Sequence, residues 1–237
     1  MALQDRRWMT RTEAAAADVD VGLRSYMLRV YNYMASGLAL TGIVAAFVAS
    51  NQAIQQAVFG TPLLWVAILA PIGLVFFLSY RINSISASTA QAAFWVYAAL
   101  NGVAFASIFL VYTGTSIARV FFITAATFAA MSLYGYTTKR DLTSMGGFLF
   151  AGLIGILIAG LVNLFLQSSA LQFAISVIGV VVFVGLTAFD TQRIKEIYFA
   201  ADGEEVAAKK SIMGALTLYL DFINIFIMLM QLFGDRK

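Results

Sequence analysis

Seven long apolar runs dominate the sequence after its first 29 residues, and they constrain the fold more than any other feature. A membrane-spanning helix needs about 20 consecutive apolar residues. The runs cover residues 30–50, 61–80, 90–112, 116–136, 146–166, 171–189 and 212–233. The chain is 61% hydrophobic and only 11% charged, which is too little polar surface to cover a water-soluble globule. The sequence therefore predicts an integral membrane protein.

The connections between these runs are short, and the longest is the charged segment 190–211. Short connections make neighbouring spans antiparallel, so we expect an all-α, polytopic, compact bundle of about seven transmembrane helices. Residues 1–29 are polar and mixed in charge, without the apolar core of a signal peptide. We predict a cytoplasmic N-terminal tail over 1–29 and a single transmembrane domain over 30–237.

The positions of lysine and arginine predict the orientation of the bundle. With the N-terminus in the cytoplasm, 12 of the 15 basic residues fall in cytoplasmic segments and three on the opposite side, Arg119, Arg236 and Lys237. The excess of basic residues on one side favours this orientation. A formal net charge of +3 then reflects loops that face an anionic leaflet, and no nucleic-acid partner is expected.

The chain has no cysteine and no histidine. This excludes disulfides, thiol nucleophiles, histidine-ligated haem and the catalytic pairs of serine or cysteine with histidine. We predict no enzyme and no cofactor. Any proton chemistry has to use carboxylates, tyrosine, lysine or arginine.

Asp221 is the clearest candidate for a functional residue. It lies about ten residues into the last apolar run, where an ionisable side chain is costly and has to face the interior of the bundle. Asn224 follows three positions later on the same helix face. The structural alternative is a protonated Asp221 that only forms a hydrogen bond between helices.

Asp190 is the second candidate, at the end of the sixth apolar run. Arg193 follows it at a helical spacing, so the alternative is a simple ion pair at the membrane boundary. Arg81 ends the second run on the same predicted side and is a candidate partner for Asp190. Asn163 is a secondary polar candidate, typical of hydrogen bonds between transmembrane helices, and Asn101 is similar.

Two carboxyl groups that meet in an apolar environment titrate as a unit and can share one proton. Deprotonated, such a pair attracts a cation, and protonated it holds its helices together. Calcium prefers about six to eight oxygen ligands, so Asp190 and Asp221 would form a transient site for it instead of a tight cage.

Two segments resemble the most characteristic motifs of the Bax inhibitor (transmembrane Bax inhibitor motif) family: residues 189–195, Phe-Asp-Thr-Gln-Arg-Ile-Lys, and 218–224, Leu-Tyr-Leu-Asp-Phe-Ile-Asn. Residues 138–142, Thr-Lys-Arg-Asp-Leu, resemble a third motif. The resemblance implies a seven-helix bundle with the last helix at its centre. It also implies a bacterial member in the cytoplasmic membrane, and a pH-sensitive leak of calcium.

By the same resemblance, Asp190 and Asp221 match the paired aspartates that sense pH, and Arg81 lies where the family can place a basic latch. Some bacterial members bind a membrane-anchored ATP-dependent protease, which gives the alternative function of a protease regulator that acts through the N-terminal tail. An intramembrane aspartyl protease is disfavoured, because no proline follows Pro71 to supply the Pro-Ala-Leu motif of such enzymes.

Overall fold

The computed structural model describes the backbone of residues 11–237 and the side chains of residues 21–237. This part of the chain forms eight α-helices. They are α1 (Arg11–Ser50), α2 (Gln52–Phe59), α3 (Leu63–Arg81), α4 (Ala87–Val111), α5 (Gly114–Thr137), α6 (Thr143–Leu166), α7 (Ser169–Glu196) and α8 (Glu204–Phe233). Seven of them, all except α2, are long and apolar enough to cross a membrane, as the seven apolar runs predict.

The first helix begins well before the predicted boundary at residue 30. Tyr26 and Met27 are buried in the core of the bundle, whereas Arg24 on the same helix is exposed. The sequence prediction took the charged residues as the end of the apolar helix, but they occupy one face of it and leave the opposite face free to pack. Residues 1–10 of the predicted tail lie outside the described residues.

The connection between α7 and α8 is much shorter than the predicted segment 190–211. Only residues 197–203 separate the two helices, because their charged ends continue as helix. These charges find partners there. Lys195 Nζ donates to the carbonyl of Tyr136 at 2.8 Å, and Lys210 Nζ contacts Asp202 Oδ2 at 2.5 Å.

The last helix lies at the centre of the bundle. In its most apolar stretch 67% of residues are buried, against 17–39% in the other six spanning helices. It packs against α1, α4, α5 and α7. Small residues permit these close approaches: a side chain at Gly179 on α7 would collide with Met228 on α8, and one at Gly135 on α5 with the backbone of Ala188 on α7. This confirms the central position of the last helix.

Seven antiparallel spans give the bundle two distinct ends. The connections after α3, α5 and α7 lie at one end, called the basic end here because Arg81, Lys139, Arg140 and Arg193 lie there. The C-terminal residues fasten the other end, called the C-terminal end. Thr113 N donates to the carbonyl of Asp235 at 3.0 Å, and Lys237 N donates to the carbonyl of Val111 at 2.9 Å. Arg119 and Asp235 form an ion pair at 2.9 Å.

Candidate functional site

Asp221 lies in the middle of the central helix, with only 4% of its surface exposed. Its carboxyl oxygen Oδ2 is buried and has no hydrogen-bond partner among the described residues. The residues around it on the helix, Leu218, Tyr219 and Phe222, are buried apolar or aromatic side chains. A buried polar atom without a partner is rare, because it loses its hydrogen bonds to water and forms none in the protein. Among the described residues, the hydroxyl of Tyr26 is the other buried side-chain polar atom without a partner, so Asp221 is the one carboxyl group in this position.

Asp190 lies on α7, the neighbour of α8, and its side chain is half-buried. The carboxyl groups of Asp190 and Asp221 lie near enough to interact electrostatically. The two acidic residues that the sequence singled out thus lie on neighbouring helices, α7 and α8. A third acidic ligand does not join them: no group of three histidine, cysteine, aspartate or glutamate side chains suited to a metal ion occurs within the described residues.

A cavity of about 560 Å³ at the basic end contains Asp190 in its wall. It lies between the end of α3, the end of α7 and the first half of α8, and Ser79, Asn83 and Thr217 contribute polar groups to it. Asp190 thus lines a space that begins among the charged connections, whereas Asp221 does not line it. We name this space the aspartate cavity.

Three basic residues also line the aspartate cavity: Arg193, Lys209 and Lys210. Two of them have acidic partners, Lys209 with Glu205 at 3.1 Å and Lys210 with Asp202 at 2.5 Å. Arg193 lines the cavity with Asp190, but the ion pair that the helical spacing predicts is not among the ion pairs of the described residues. The sequence did not indicate that Lys209 and Lys210 would reach the site, because they belonged to a predicted loop.

Arg81 does not join this group. Its side chain is exposed at the end of α3 and is absent from the cavity wall, although Ser79, Ile82 and Asn83 line it. Within the described part of the chain, the Arg81 side chain takes part in no hydrogen bond or ion pair. In this structure, Arg193 and not Arg81 lines the aspartate cavity together with Asp190.

Asn163 lies far from the pair, at the C-terminal end of α6. Its Nδ2 donates to Gln172 Oε1 at 3.1 Å, and its Oδ1 accepts from the backbone N–H of Ser168 at 3.0 Å. Gln231 Oε1 on α8 accepts from Gln172 Nε2 at 2.6 Å and from Ser176 Oγ at 2.7 Å. This network, called the amide ladder here, joins α6, α7 and α8. Asn163 is therefore a structural hydrogen-bonding residue.

Asn224, one turn beyond Asp221, lines a second cavity between α3, α4 and α8. Asn101 lines the same cavity from α4, and the volume is about 580 Å³. We name it the amide cavity. Asn224 lines this cavity and not the aspartate cavity. The sequence prediction therefore placed Asn224 on the correct helix but did not indicate that it lines a different cavity from Asp190.

The turn between α5 and α6 contacts α7 through a pair of hydrogen bonds. Gln192 Oε1 accepts from the N–H of Leu142 at 2.8 Å, and Gln192 Nε2 donates to the carbonyl of Arg140 at 2.8 Å. Asp141 accepts from the N–H of Thr143 at 2.8 Å, and this bond together with that from the Thr143 side chain lowers the pKa of Asp141. Two of the segments that carry the family resemblance thus hold each other in place.

These features define a class: multi-pass membrane proteins with ionisable groups in the interior of the bundle. Here the bundle has seven spans, its last helix is central, and it contains one buried and one half-buried carboxyl group. The family model described as "Inhibitor of apoptosis-promoting Bax1" matches residues 23–237. The chain belongs to the Bax inhibitor family, as its motifs at 189–195 and 218–224 suggest.

Bacterial relatives cover almost the whole chain. An uncharacterised protein of Rickettsia prowazekii is 54% identical over 92% of this chain and 92% of its own length. The inner membrane protein YbhL of Escherichia coli K12 is 49% identical over 91% of this chain and 94% of its own. An uncharacterised membrane protein of Streptococcus pyogenes is 36% identical over 91% and 94%, respectively.

Proposed function

We propose that this protein is a pH-gated leak pathway for calcium in a bacterial cytoplasmic membrane, with its N-terminus in the cytoplasm. The observation that carries the proposal is the buried, unpartnered Oδ2 of Asp221 beside the half-buried Asp190, which lines the aspartate cavity. Ionisable groups inside a membrane protein most often mark ion or proton pathways. Relatives of bacterial origin, including an inner membrane protein, support the location.

The proposed gate uses one shared proton. When Asp190 and Asp221 share it, a hydrogen bond between their carboxyl groups would hold α7 and α8 together, and the pair carries one negative charge, which attracts a divalent cation less strongly than two. When the proton leaves, two like charges repel each other and together attract a divalent cation. Because the chain has no histidine, carboxyl groups are the natural sensors for such a response. No chemical conversion or cofactor takes part, and calcium is only the permeant ion.

Calcium flux into proteoliposomes that contain the full-length protein tests this mechanism. We expect flux to rise with pH, by up to about tenfold per pH unit if one proton controls the gate. Asp190→Asn leaves a neutral partner, so its flux should respond weakly to pH. Flux equal to that of empty liposomes at every pH between 5 and 8 would overturn the proposal.

A second candidate function is the binding of a membrane-anchored ATP-dependent protease. One observation favours a protein-binding role: α1 has 40 residues, so it is about 60 Å long, about twice the thickness of the hydrocarbon core. Its first turns therefore extend beyond the membrane at the basic end. Deletion of residues 1–20 should abolish co-purification with such a protease and leave calcium flux intact, whereas retention of the partner would argue against this role.

A further inference from the structure

The amide cavity lies in series with the aspartate cavity along the central helix. Thr217 of α8 lines the aspartate cavity and Leu220, one turn later, lines the amide cavity, with Asp221 as the next residue. On α3, Ser79 lines the first and Val75 the second. The side chain between them, Leu78, is fully buried. An ion that leaves the aspartates toward the C-terminal end would therefore meet the amide cavity next.

The wall of the amide cavity is apolar except for four polar side chains. These are Tyr97, Asn101 and Ser107 of α4 and Asn224 of α8. Carboxylates and cationic side chains are absent from the described wall of this cavity. Its interior is therefore uncharged, unlike that of the aspartate cavity.

Both asparagines have the same arrangement. Asn101 Nδ2 donates to the carbonyl of Tyr97 at 2.9 Å, and Asn224 Nδ2 donates to the carbonyl of Leu220 at 2.8 Å. Each amide nitrogen is therefore bound to the backbone of its own helix. Within the described residues, neither Oδ1 atom accepts a hydrogen bond from another helix. The Asn101 side chain has one further partner, the Tyr97 side chain on its own helix, and the Oδ1 of Asn224 has none.

This arrangement differs from that of the structural asparagine. Both amide atoms of Asn163 are used, and its Nδ2 joins α6 to α7. Asn101 and Asn224 join no helices to each other, so interhelical hydrogen bonding does not explain why two amides lie in this apolar wall.

We propose that the Oδ1 atoms of Asn101 and Asn224 form an uncharged binding site for a divalent cation. An ion would reach this site after it leaves the aspartate pair, so this inference rests on the proposed function. Amide carbonyl oxygens are hard ligands that calcium accepts in proteins, with water completing the coordination. A site made of neutral oxygens does not titrate. The aspartates therefore control the pH response, and the amides control only the rate at which the ion moves on.

The flux assay separates these two roles. Asn101→Leu and Asn224→Leu should each lower calcium flux about tenfold, the effect of losing about 1.4 kcal/mol of ion binding. The pH at half-maximal flux should stay that of the wild type. Asn224→Asp keeps the side-chain size and adds a charge, so it should increase calcium affinity and add a second pH-dependent step. Asn32→Leu, at an exposed asparagine of α1 outside both cavities, is the matched control and should change nothing.

A binding measurement tests the site independently of conduction. Terbium replaces calcium in oxygen sites and becomes luminescent when a nearby tyrosine is excited, and Tyr97 lies beside Asn101. In detergent, the variant with Asp190→Asn and Asp221→Asn should still bind terbium. Addition of Asn101→Leu and Asn224→Leu should remove that signal.

The outcomes distinguish the two proposals. A pH-dependent wild type whose flux is unchanged by both leucine variants would overturn the amide site and leave the aspartate gate intact. Wild-type protein without flux would overturn the gate, and the terbium signal alone would then decide the amide site. A signal that is the same with and without the asparagines would reject it.

Discussion

The amide ladder and the aspartate pair both include side chains of α7 and α8, but their polar groups differ in whether they have hydrogen-bond partners. In the ladder, the side-chain oxygens of Asn163, Gln172 and Gln231 all accept hydrogen bonds, and the bonds cross from helix to helix. At the pair, Asp221 keeps a buried oxygen without a partner. Satisfied polar groups fasten helices, whereas an unsatisfied one costs stability and persists where it serves a function. The comparison therefore separates the part of the α7–α8 contact that holds the bundle from the part to which we assign the proposed response to protons and ions.

The largest effect should come from Asp221→Asn, because this change removes the buried ionisable group. We expect the pH dependence of calcium flux to disappear, with flux between pH 6 and pH 8 varying less than about twofold instead of up to about a hundredfold. The thermal stability should stay the same or increase, since a buried charge without full compensation stabilises poorly. Flux in proteoliposomes and thermal unfolding of the same preparation measure both. A strong loss of stability with unchanged pH dependence would show that Asp221 holds the bundle together, as we expect of the amide ladder, and does not control the flux.

The ladder should show the opposite behaviour. Gln231→Leu leaves Gln172 Nε2 and Ser176 Oγ without their acceptor, and interhelical hydrogen bonds of this kind contribute about 0.6–2 kcal/mol each in membranes. We expect a lower melting temperature and an unchanged pH at half-maximal flux. Gln167→Leu is a suitable control, because the Gln167 side chain is at the end of α6 and outside the ladder. A shifted pH response in Gln231→Leu would show that the two regions are coupled.

Arg193 and Arg81 give a smaller but more discriminating effect. Arg193 lines the aspartate cavity, so Arg193→Gln removes a positive charge that repels entering cations and should raise flux a few-fold at low ionic strength. Arg81 is exposed and outside the cavity wall, so Arg81→Gln should have little effect. The family resemblance makes the opposite prediction for Arg81. If Arg81→Gln opens the pathway at low pH, Arg81 reaches the pair in a closed state that differs from this structure.

The smallest effect concerns Asp141, which precedes α6 and accepts a hydrogen bond from the N–H of Thr143, the first residue of that helix. Hydrogen bonds from Thr143 lower its pKa below the usual value of 3.8. A carboxyl group with a lowered folded-state pKa stabilises the protein above its unfolded pKa and loses this contribution as the pH falls through the folded value. Asp141→Asn should therefore lower the melting temperature slightly at pH 7, and the difference should shrink as the pH falls below the usual carboxyl pKa of 3.8. A difference that grows on acidification would contradict this sign.

The sequence alone indicated the spanning helices and the buried acidic residue, because both depend on short stretches of the chain. Apolar runs longer than a bilayer span identify the seven helices without knowledge of how they pack. Asp221 is conspicuous for the same reason, since few charges occur inside these runs. The errors occurred where charge and helix overlap. Arg24 lies within α1, on a face that does not pack. Lys209 and Lys210 belong to α8, where acidic partners and a cavity accommodate their charges.

The roles of the asparagines illustrate what the tertiary structure decided. Asn101, Asn163 and Asn224 are alike in sequence, each a single amide in an apolar run. The rotation of each helix about its axis decides whether an amide meets another helix, as for Asn163, or a cavity, as for the other two.

By itself, the sequence determined the class of the protein, the number of spans and the two acidic residues, because hydropathy and the cost of a buried charge act along one chain segment at a time. Only the tertiary structure decided that Asp190 and Asp221 lie within electrostatic reach, that Arg193 lines the aspartate cavity while Arg81 stays outside it, and how deeply α8 is buried. These facts depend on contacts between residues that are distant in the chain. Packing of side chains between helices sets those contacts, and hydropathy along a single segment does not contain them.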